Sequence, residues 1–218
     1  MQRLKQIAGK SGKGSGHCCR LKAIESLVDY NRFCLNVGSK EAHFRNSLSL
    51  DTDPKCRPNI VADARCLPLR SEIFEQALFT DVIEHLPKGD EIKALTEVRR
   101  VLMEKGELIL TTPNKRLLFT LLDPASYLSG HRHYTLTRVR KMLETCGFRC
   151  VDIFTSGFIW ACTNVIWYVF VTYPIRKIFD YRLPYAPWLL QAFENKEYEK
   201  TGGSGYTIFV KALKHRTA

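Results

Sequence analysis

The sequence predicts an α/β fold in which short, mostly parallel strands alternate with helices. Three observations carry this prediction. Short apolar runs recur along the chain, amphipathic helical patterns lie between several of them, and polar or acidic residues stand where the runs end. Strands that alternate with helices favour a parallel sheet with helices packed on its faces. The 218 residues are enough for one domain with a sizeable core and one elaboration.

The elements follow one another from residue 20 onward. Periodic apolar residues predict helices over 20–30, 90–106 and 135–147. The second and third end on Gly106 and Gly147, and glycine commonly ends helices. The seven predicted strands cover residues 33–37, 47–51, 59–63, 74–80, 107–113, 148–156 and 205–213.

The N-terminal part of the chain is basic, and we assign 1–19 to a flexible segment. The net charge is +11 for the whole chain, and residues 1–32 alone carry +5. The stretch GKSGKGSG lacks the glycine spacing and the preceding strand of a phosphate loop. A basic end suggests contact with the phosphates of lipid headgroups or nucleic acid, and a solvated tail is the alternative. Because no apolar signal segment occurs here, we expect a cytoplasmic protein.

Polar residues at the predicted strand ends indicate where a ligand binds, since such sheets bind ligands at the carboxyl ends of their strands. Gly38 follows the first strand, and Asp51 and Asp63 end the next two. A carboxylate at Asp51 can accept both ribose hydroxyls of an adenosine, and Asp63 could accept from an adenine amino group. Each acid alone also fits a loop or a helix cap, but their repetition favours a ligand site.

Three blocks of the chain, NIVADARCLPL, DVIEHLP and RRVLMEKGELILTTPN, resemble the class I S-adenosylmethionine-dependent methyltransferases in order and spacing. The resemblance is to the group typified by ubiquinone and menaquinone biosynthesis enzymes, and it covers about residues 25–156 and 205–213. It implies a Rossmann-like seven-stranded sheet, mostly parallel with an antiparallel last strand, and S-adenosylmethionine as the cofactor. The resulting cofactor-binding candidates are Asn36, Gly38, Ser39, Asp51, Asp63, Ala64, Thr80 and His85.

The loop after the first strand departs from the family pattern, because Gly-Ser-Lys-Glu-Ala replaces the usual Gly-x-Gly-x-Gly. The connection to Asp51 is too short for the usual helix. It resembles a short-loop subgroup among sugar- and cell-envelope-modifying methyltransferases. In such a loop the Ser39 N–H could bind the cofactor carboxylate, and Lys40 could pair with it. A decayed cofactor site is the alternative, since glycines are what let a backbone approach a ligand.

Two histidines are the catalytic candidates. An oxygen nucleophile usually needs a base with a pKa near neutrality, which histidine provides. His131 and His133 lie in GHRHY, after the fifth strand and before a helix, over the expected acceptor mouth. We rank His131 ahead of His133; a surface histidine pair is the alternative. The eight cysteines form no CxxC pair, so no metal site is predicted.

An apolar insert separates the sixth and seventh strands, so the methyltransferase domain comprises 20–157 and 205–218, with the insert over 158–204. The first 18 residues after 157 carry no charge, which only just reaches the length of a membrane span. Because the last strand must return to the same sheet, we predict that residues 158–193 form a helical hairpin that lies on a membrane face without crossing it. Its basic residues would meet anionic lipid: Arg176, Lys177 and Arg182. A lid or a homodimer contact is the alternative.

The sequence therefore predicts a methyltransferase that is cytoplasmic and peripherally associated with a membrane. Its acceptor would be a small molecule of lipid-linked, isoprenoid or glycan type. A nucleic-acid methyltransferase is less favoured, because the insert lacks the interleaved Lys and Arg that phosphate tracking needs. A catalytically inactive module with the same fold, binding a membrane or a partner, is the second alternative.

Overall fold

Seven strands form one sheet in a computed structural model of the protein. The structure describes residues 17–40, 44–115, 132–158, 160, 163, 166–179, 188–198 and 205–215. Within this part of the chain the strands are β1 (Cys34–Val37), β2 (Ser47–Asp51), β3 (Ile60–Val61), β4 (Phe74–Thr80), β5 (Leu102–Pro113), β6 (Phe148–Ser156) and β7 (Thr207–Lys214). Their order across the sheet is β3-β2-β1-β4-β5-β7-β6.

The strand directions confirm the predicted sheet. β1 runs parallel to β2 and to β4, β2 runs parallel to β3, and β4 runs parallel to β5. β7 is antiparallel to both of its neighbours, β5 and β6. Because parallel strands end at the same edge, the carboxyl ends of β1 to β5 meet at one edge of the sheet. The strand order reverses between β1 and β4, which is where sheets of this kind form a ligand crevice.

The helices of the described chain are α1 (His17–Glu25), α2 (Asp90–Val101), α3 (Leu136–Thr145), α4 (Tyr173–Phe179) and α5 (Trp188–Tyr198). A short 3-10 helix covers Pro54–Cys56, and a π-helix over Tyr168–Thr172 leads into α4. Thr135 caps α3, since its hydroxyl accepts a hydrogen bond from the Arg138 amide. In the described part of the chain, no helix combines the length and the apolar character that a membrane crossing requires.

Two helix boundaries differ from the prediction. The predicted helix over 90–106 ends at Val101, and the residues up to Gly106 belong to β5. Leu102 pairs with Phe74 of β4 and is fully buried, so the pairing and burial of Leu102 override the helical periodicity of the sequence. The predicted helix over 20–30 instead covers His17–Glu25, so it begins inside the segment 1–19 that was expected to be flexible, and turns follow it.

The two faces of the sheet carry separate cores. The larger core packs α2 and α3 against one face, through residues such as Val98 and Val139. A smaller cluster on the other face joins Ile24 of α1, Tyr198 of α5 and Phe209 of β7. Burial of apolar surface contributes roughly 25 cal/mol per Å², so this cluster holds α1 and α5 against the sheet. The N-terminal helix and the insert therefore share one side of the molecule.

Candidate active site

The loop after β1 is bound to its neighbouring strand and packed against the segment after β4. The amides of Gly38 and Ser39 donate to the Leu50 carbonyl at 2.8 and 3.1 Å. Gly38 has a φ of +67°, and a Cβ there would lie 2.4 Å from Cγ2 of Val82. Only glycine fits both the backbone conformation and the space. The absence of a side chain at Gly38 thus lets the loop pack closely against Val82 of the protein itself.

Asp51 holds its charge in a fixed orientation at the end of β2. Its Oδ2 accepts from the Lys40 amide at 2.8 Å, and its Oδ1 accepts from the Asp53 amide at 3.0 Å. A carboxylate has about four lone-pair sites, so two remain for further donors. The half-buried carboxylate is therefore oriented by the backbone and can still accept the two hydroxyls of a ribose.

Ser39 gives the test of whether this edge fits a polar cofactor. Its side chain is 2% exposed, and its Oγ has no hydrogen-bond partner among the residues that the structure describes. An unsatisfied buried hydroxyl costs about 1–3 kcal/mol, which a polar group of a bound ligand would recover. The Ser39 amide, expected from the sequence to bind the cofactor carboxylate, is bound to Leu50 instead. In this loop the Ser39 hydroxyl, and not the Ser39 amide, is left to receive a polar group of a ligand.

Asp63 lies after β3 in a network of charged groups. Arg65 donates from Nε to both Asp63 oxygens at 3.0 Å and contacts Asp90 at 2.6 Å. The hydrogen bonds from the Arg65 side chain lower the pKa of Asp63 below its ordinary value. Asp63 is therefore ionised and held in place by Arg65. The neighbouring Ala64 is buried in the larger core, so only its backbone can meet a ligand.

The remaining cofactor candidates occupy different depths. Asn36 is buried within β1, in register with Ser49 of β2. Thr80 is half-buried at the end of β4. His85 is exposed, and its amide donates to the Val82 carbonyl at 3.0 Å in the turn after β4. The structure thus brings Thr80 and Asp51 to the same edge and places Asn36 below it.

One ion pair at this edge escaped the sequence analysis. Asp81, directly after β4, is buried, and its Oδ2 lies 2.8 Å from a guanidinium nitrogen of Arg20 on α1. Its Oδ1 accepts from the Thr111 hydroxyl at 3.0 Å. Arg20 stands within the basic N-terminal run, where one partnered arginine cannot be distinguished from solvated ones. The N-terminal helix is consequently a part of the site.

The described catalytic candidate, His133, lies at the carboxyl end of β5. Its Nδ1 is 3.2 Å from the Asn114 carbonyl oxygen, and its ring meets Tyr206 edge to face with centroids 6.5 Å apart. A carbonyl oxygen only accepts, so this contact assigns a proton to Nδ1 of His133. His131 lies outside the described residues.

The insert contributes the far wall of this edge. The Tyr198 hydroxyl of α5 lies 3.0 Å from the Thr207 hydroxyl at the start of β7. Burial raises the pKa of Tyr198, so its hydroxyl stays protonated. A Cβ on Gly157 would lie 2.6 Å from the ring of Tyr198, which shows how closely α5 approaches the end of β6. The mouth over β5 and β7 is thus bounded by helices from both ends of the chain.

Comparison with known proteins finds a similarity to methyltransferases. Residues 12–110 match the family described as a methyltransferase domain. An uncharacterised protein of Methanocaldococcus jannaschii is 28% identical over 137 residues, which are 63% of this chain and 56% of that protein. The chain thus matches little more than half the length of this curated relative.

Three solved structures have the same fold at low sequence identity. A SAM-dependent methyltransferase from Thermotoga maritima has a TM-score of 0.63 at 17% identity, covering 90% of this chain and 88% of its own. Another, from Archaeoglobus fulgidus, has a TM-score of 0.61 at 14% identity, with coverage of 92% and 95%. The third is the 1,6-didemethyltoxoflavin-N1-methyltransferase of Burkholderia thailandensis, solved with 1,6-didemethyltoxoflavin and S-adenosylhomocysteine. Its TM-score is 0.55 at 10% identity, with coverage of 91% and 79%.

The structural likeness concerns the fold, and the family match concerns residues 12–110, less than half of the chain, which hold β1 to β4, α2 and most of β5. This segment contains every cofactor candidate named above. Residues 12–110 are therefore similar to a methyltransferase domain, and the chain has the fold of solved S-adenosylmethionine-dependent methyltransferases.

Proposed function

We propose that the protein is an S-adenosylmethionine-dependent methyltransferase that acts on a small-molecule, lipid-linked, isoprenoid or glycan-type acceptor, with His133 accepting the acceptor's proton. The observation that carries the proposal is the place of His133. It lies at the carboxyl end of β5, at the same edge as Ser39, Asp51 and Asp63 after the neighbouring strands. A base at the edge of the sheet that carries the cofactor candidates is what methyl transfer to a hydroxyl needs.

The cofactor half of the proposal divides the work among the strand-end residues. S-adenosylmethionine, when bound, supplies a methyl group on a positively charged sulfur. Asp51 would accept the ribose hydroxyls, and Asp63 would face the adenine amino group. The buried Ser39 hydroxyl would meet a polar group of the cofactor. The short-loop subgroup belongs to this proposal, since the compact loop leaves one hydroxyl unsatisfied where glycine-rich loops offer amides.

The acceptor half rests on His133. Its Nδ1–H donates to the Asn114 carbonyl and orients the ring, and in this proposal Nε2 is the atom that would accept the proton. The acceptor must place its nucleophilic atom in line with the methyl group, with its proton within reach of Nε2. His131, which the sequence ranks first, shares the segment and stays a second candidate for the same role.

A lipid-linked acceptor is favoured by the exposed apolar face of the insert. Phe170 is 74% exposed and Ile178 is 71% exposed, and Lys177 stands exposed beside them. Ile166, Phe170, Tyr173 and Lys177 are all exposed along the helical segment 166–179, and we call these four residues the stripe of the insert. An apolar stripe with a basic residue suits the interface of an anionic membrane. We therefore propose peripheral membrane association; a lid or a homodimer contact remains the alternative for this face.

Methyl transfer from radiolabelled S-adenosylmethionine tests the proposal. The full chain is first titrated with S-adenosylmethionine and S-adenosylhomocysteine by calorimetry. It is then incubated with the labelled cofactor and with a total lipid extract, an aqueous small-molecule extract or total nucleic acid. We expect binding of both compounds and label in the lipid fraction. Label in nucleic acid would overturn the acceptor class, and the absence of cofactor binding would support the inactive module.

A further inference from the structure

The segment that carries His133 is tied to the loop after β4, which we define as residues 81–89. The guanidinium of Arg132 donates to the Ile83 carbonyl at 3.0 Å and also to the Leu86 carbonyl. Its other terminal nitrogen donates to Oε1 of Glu91 at 2.5 Å. A guanidinium presents its donors in a rigid plane, so one arginine can hold several acceptors in a fixed arrangement.

Tyr134 repeats the connection from the other side of His133. Its hydroxyl lies 3.1 Å from the Ile83 carbonyl and 3.0 Å from Oε1 of Glu91, and its ring is 1% exposed. Oε2 of Glu91 accepts from the Gly89 amide at 2.6 Å. Arg132, Tyr134 and Glu91, together called the Arg132 cluster, therefore bind both ends of the loop after β4.

The charges of the cluster are constant over the working pH range. Burial and the neighbouring Glu91 raise the pKa of Tyr134, so its hydroxyl remains a donor. Burial alone would raise the pKa of Glu91. Hydrogen bonds from its own amide, from Tyr134 and from Gly89 outweigh it, so this pKa lies below its ordinary value. Arg132 thus faces a carboxylate, and the contact is a charged hydrogen bond.

The two clamping residues flank the proposed base on both sides. While Arg132 and Tyr134 hold the loop after β4, His133 between them contacts the Asn114 carbonyl after β5. The loop after β4 includes His85 and follows Thr80, both cofactor candidates, and it packs against Gly38 through Val82. The Arg132 cluster is therefore the described connection between the cofactor loops and the base.

We propose that Arg132 and Tyr134 are positioning residues that keep the loop after β4 and His133 at a fixed separation. This inference rests on the proposed role of His133 and goes beyond it, because it says what sets the distance between cofactor and base. In-line methyl transfer needs that distance to be held closely, and a misplacement of about 1 Å costs about 100-fold in rate. The planar guanidinium of Arg132 supplies this precision because it binds several acceptors at fixed angles. The ammonium group of a lysine does not.

The test replaces the fork and keeps the charge, with Arg132→Lys. Arg100→Lys is the matched control, because Arg100 also binds one glutamate, Glu97, and two carbonyls, those of Leu67 and Leu69, away from His133. Hydrogen exchange is measured on peptides from the loop after β4 and from α2, with and without S-adenosylhomocysteine. Transfer of labelled methyl to the lipid extract is measured on the same proteins.

We expect Arg132→Lys to speed exchange in the loop after β4 by about tenfold or more and to lower the transfer rate by about 10- to 100-fold. Arg100→Lys should leave both unchanged. Tyr134→Phe, which keeps the ring and loses the donor, should change both in the same direction by less, and it serves if Arg132→Lys does not fold. Equal losses of thermal stability in the Arg132 and Arg100 variants, with loop exchange and transfer unchanged, would overturn the proposal.

The exchange measurement separates this proposal from the proposed function. It requires no acceptor, so a wild type that binds S-adenosylhomocysteine but methylates nothing overturns the acceptor assignment alone. Unchanged exchange in the loop after β4 overturns the clamp, whatever the wild type methylates.

Discussion

The two halves of the carboxyl edge are built differently. On the cofactor side, at the ends of β1 to β3, the groups are fixed by partners close in the chain: Asp51 binds the Lys40 amide eleven residues away, and Asp63 binds Arg65 two residues away. The acceptor side lies at the end of β5 and the start of β7, and there the partners come from distant segments. The Asn114 amide donates to the Gly205 carbonyl 91 residues later.

This difference indicates which side of the edge can change in structure when distant segments of the chain change. A cofactor side made of local contacts forms once its strands pair, whatever the rest of the chain does. An acceptor side assembled from α1, the segment 132–135 and α5 changes when any of these pieces changes. Functional variation is expected to concentrate in such connecting segments on a constant scaffold. We therefore expect the affinity for the cofactor to change little when acceptor-side residues are replaced. The rate of transfer to the acceptor should change strongly.

Replacing the base should break the acceptor side alone and has the largest expected effect. His133→Ala removes the proton acceptor, so we expect the rate of methyl transfer to fall by about 10²–10⁴. The dissociation constant of S-adenosylhomocysteine should stay within about twofold, because His133 lies beside Asn114, after β5, and not on the cofactor loops. Transfer to the lipid extract and calorimetry measure the two quantities. The exposed His215, at the opposite end of β7, is the control position, and an unchanged rate in His133→Ala would assign the base elsewhere.

Replacing Asp51 should break the cofactor side. Asp51→Ala removes the charged acceptor for two hydroxyls, and we expect binding of S-adenosylhomocysteine to weaken by about 1.5–3 kcal/mol. Calorimetry measures this change directly. Asp152→Ala, which removes an exposed carboxylate from β6, should leave the affinity as it is. Equal affinities of the Asp51 variant and the wild type would show that the ribose lies away from β2.

The packing of the first loop can be isolated with two glycines. Gly38→Ala and Gly89→Ala both place a side chain at positive φ, but a Cβ on Gly89 meets nothing within 4 Å. We expect the free energy of unfolding to fall by about 1–3 kcal/mol more for Gly38→Ala, because of the overlap with Val82. Denaturant titration measures it. The double variant Gly38→Ala, Val82→Ala should recover part of the loss; additive losses would contradict the overlap as its cause.

The same contrast explains what the sequence could predict. Periodicity and strand-end acids predicted the seven strands, their mainly parallel pairing and the location of Asp51 and Asp63, since all of these depend on local patterns. The sequence analysis missed the ion pair of Arg20 with Asp81 and the contacts of Arg132, because these join segments far apart in the chain. It also placed a helix through Leu102, where pairing with β4 decides the structure. Long-range contacts leave no periodic signal.

Membrane contact of the insert is the prediction with the smallest expected effect per residue. A basic residue near an anionic surface contributes about 1 kcal/mol, so Lys177→Gln should weaken binding to anionic vesicles by about fivefold. Vesicle flotation of the full chain, with phosphatidylserine-containing and neutral vesicles at low and high salt, measures the binding. Lys55→Gln, at an exposed position beyond β2, is the matched control and should bind as the wild type does.

The salt dependence and the apolar residues sharpen this test. Binding through Lys177 should weaken at high salt, because ions screen the attraction. Phe170→Ser should weaken binding at every salt concentration, because it removes an apolar contact with the membrane. Val151→Ser is the control: Val151 is also apolar and exposed, but it lies on β6, so binding should not change. A wild type that floats with neither vesicle and elutes as a dimer would assign the stripe to a second copy of the chain. The acceptor would then have to reach His133 from solution, and the lipid-linked class would lose its support.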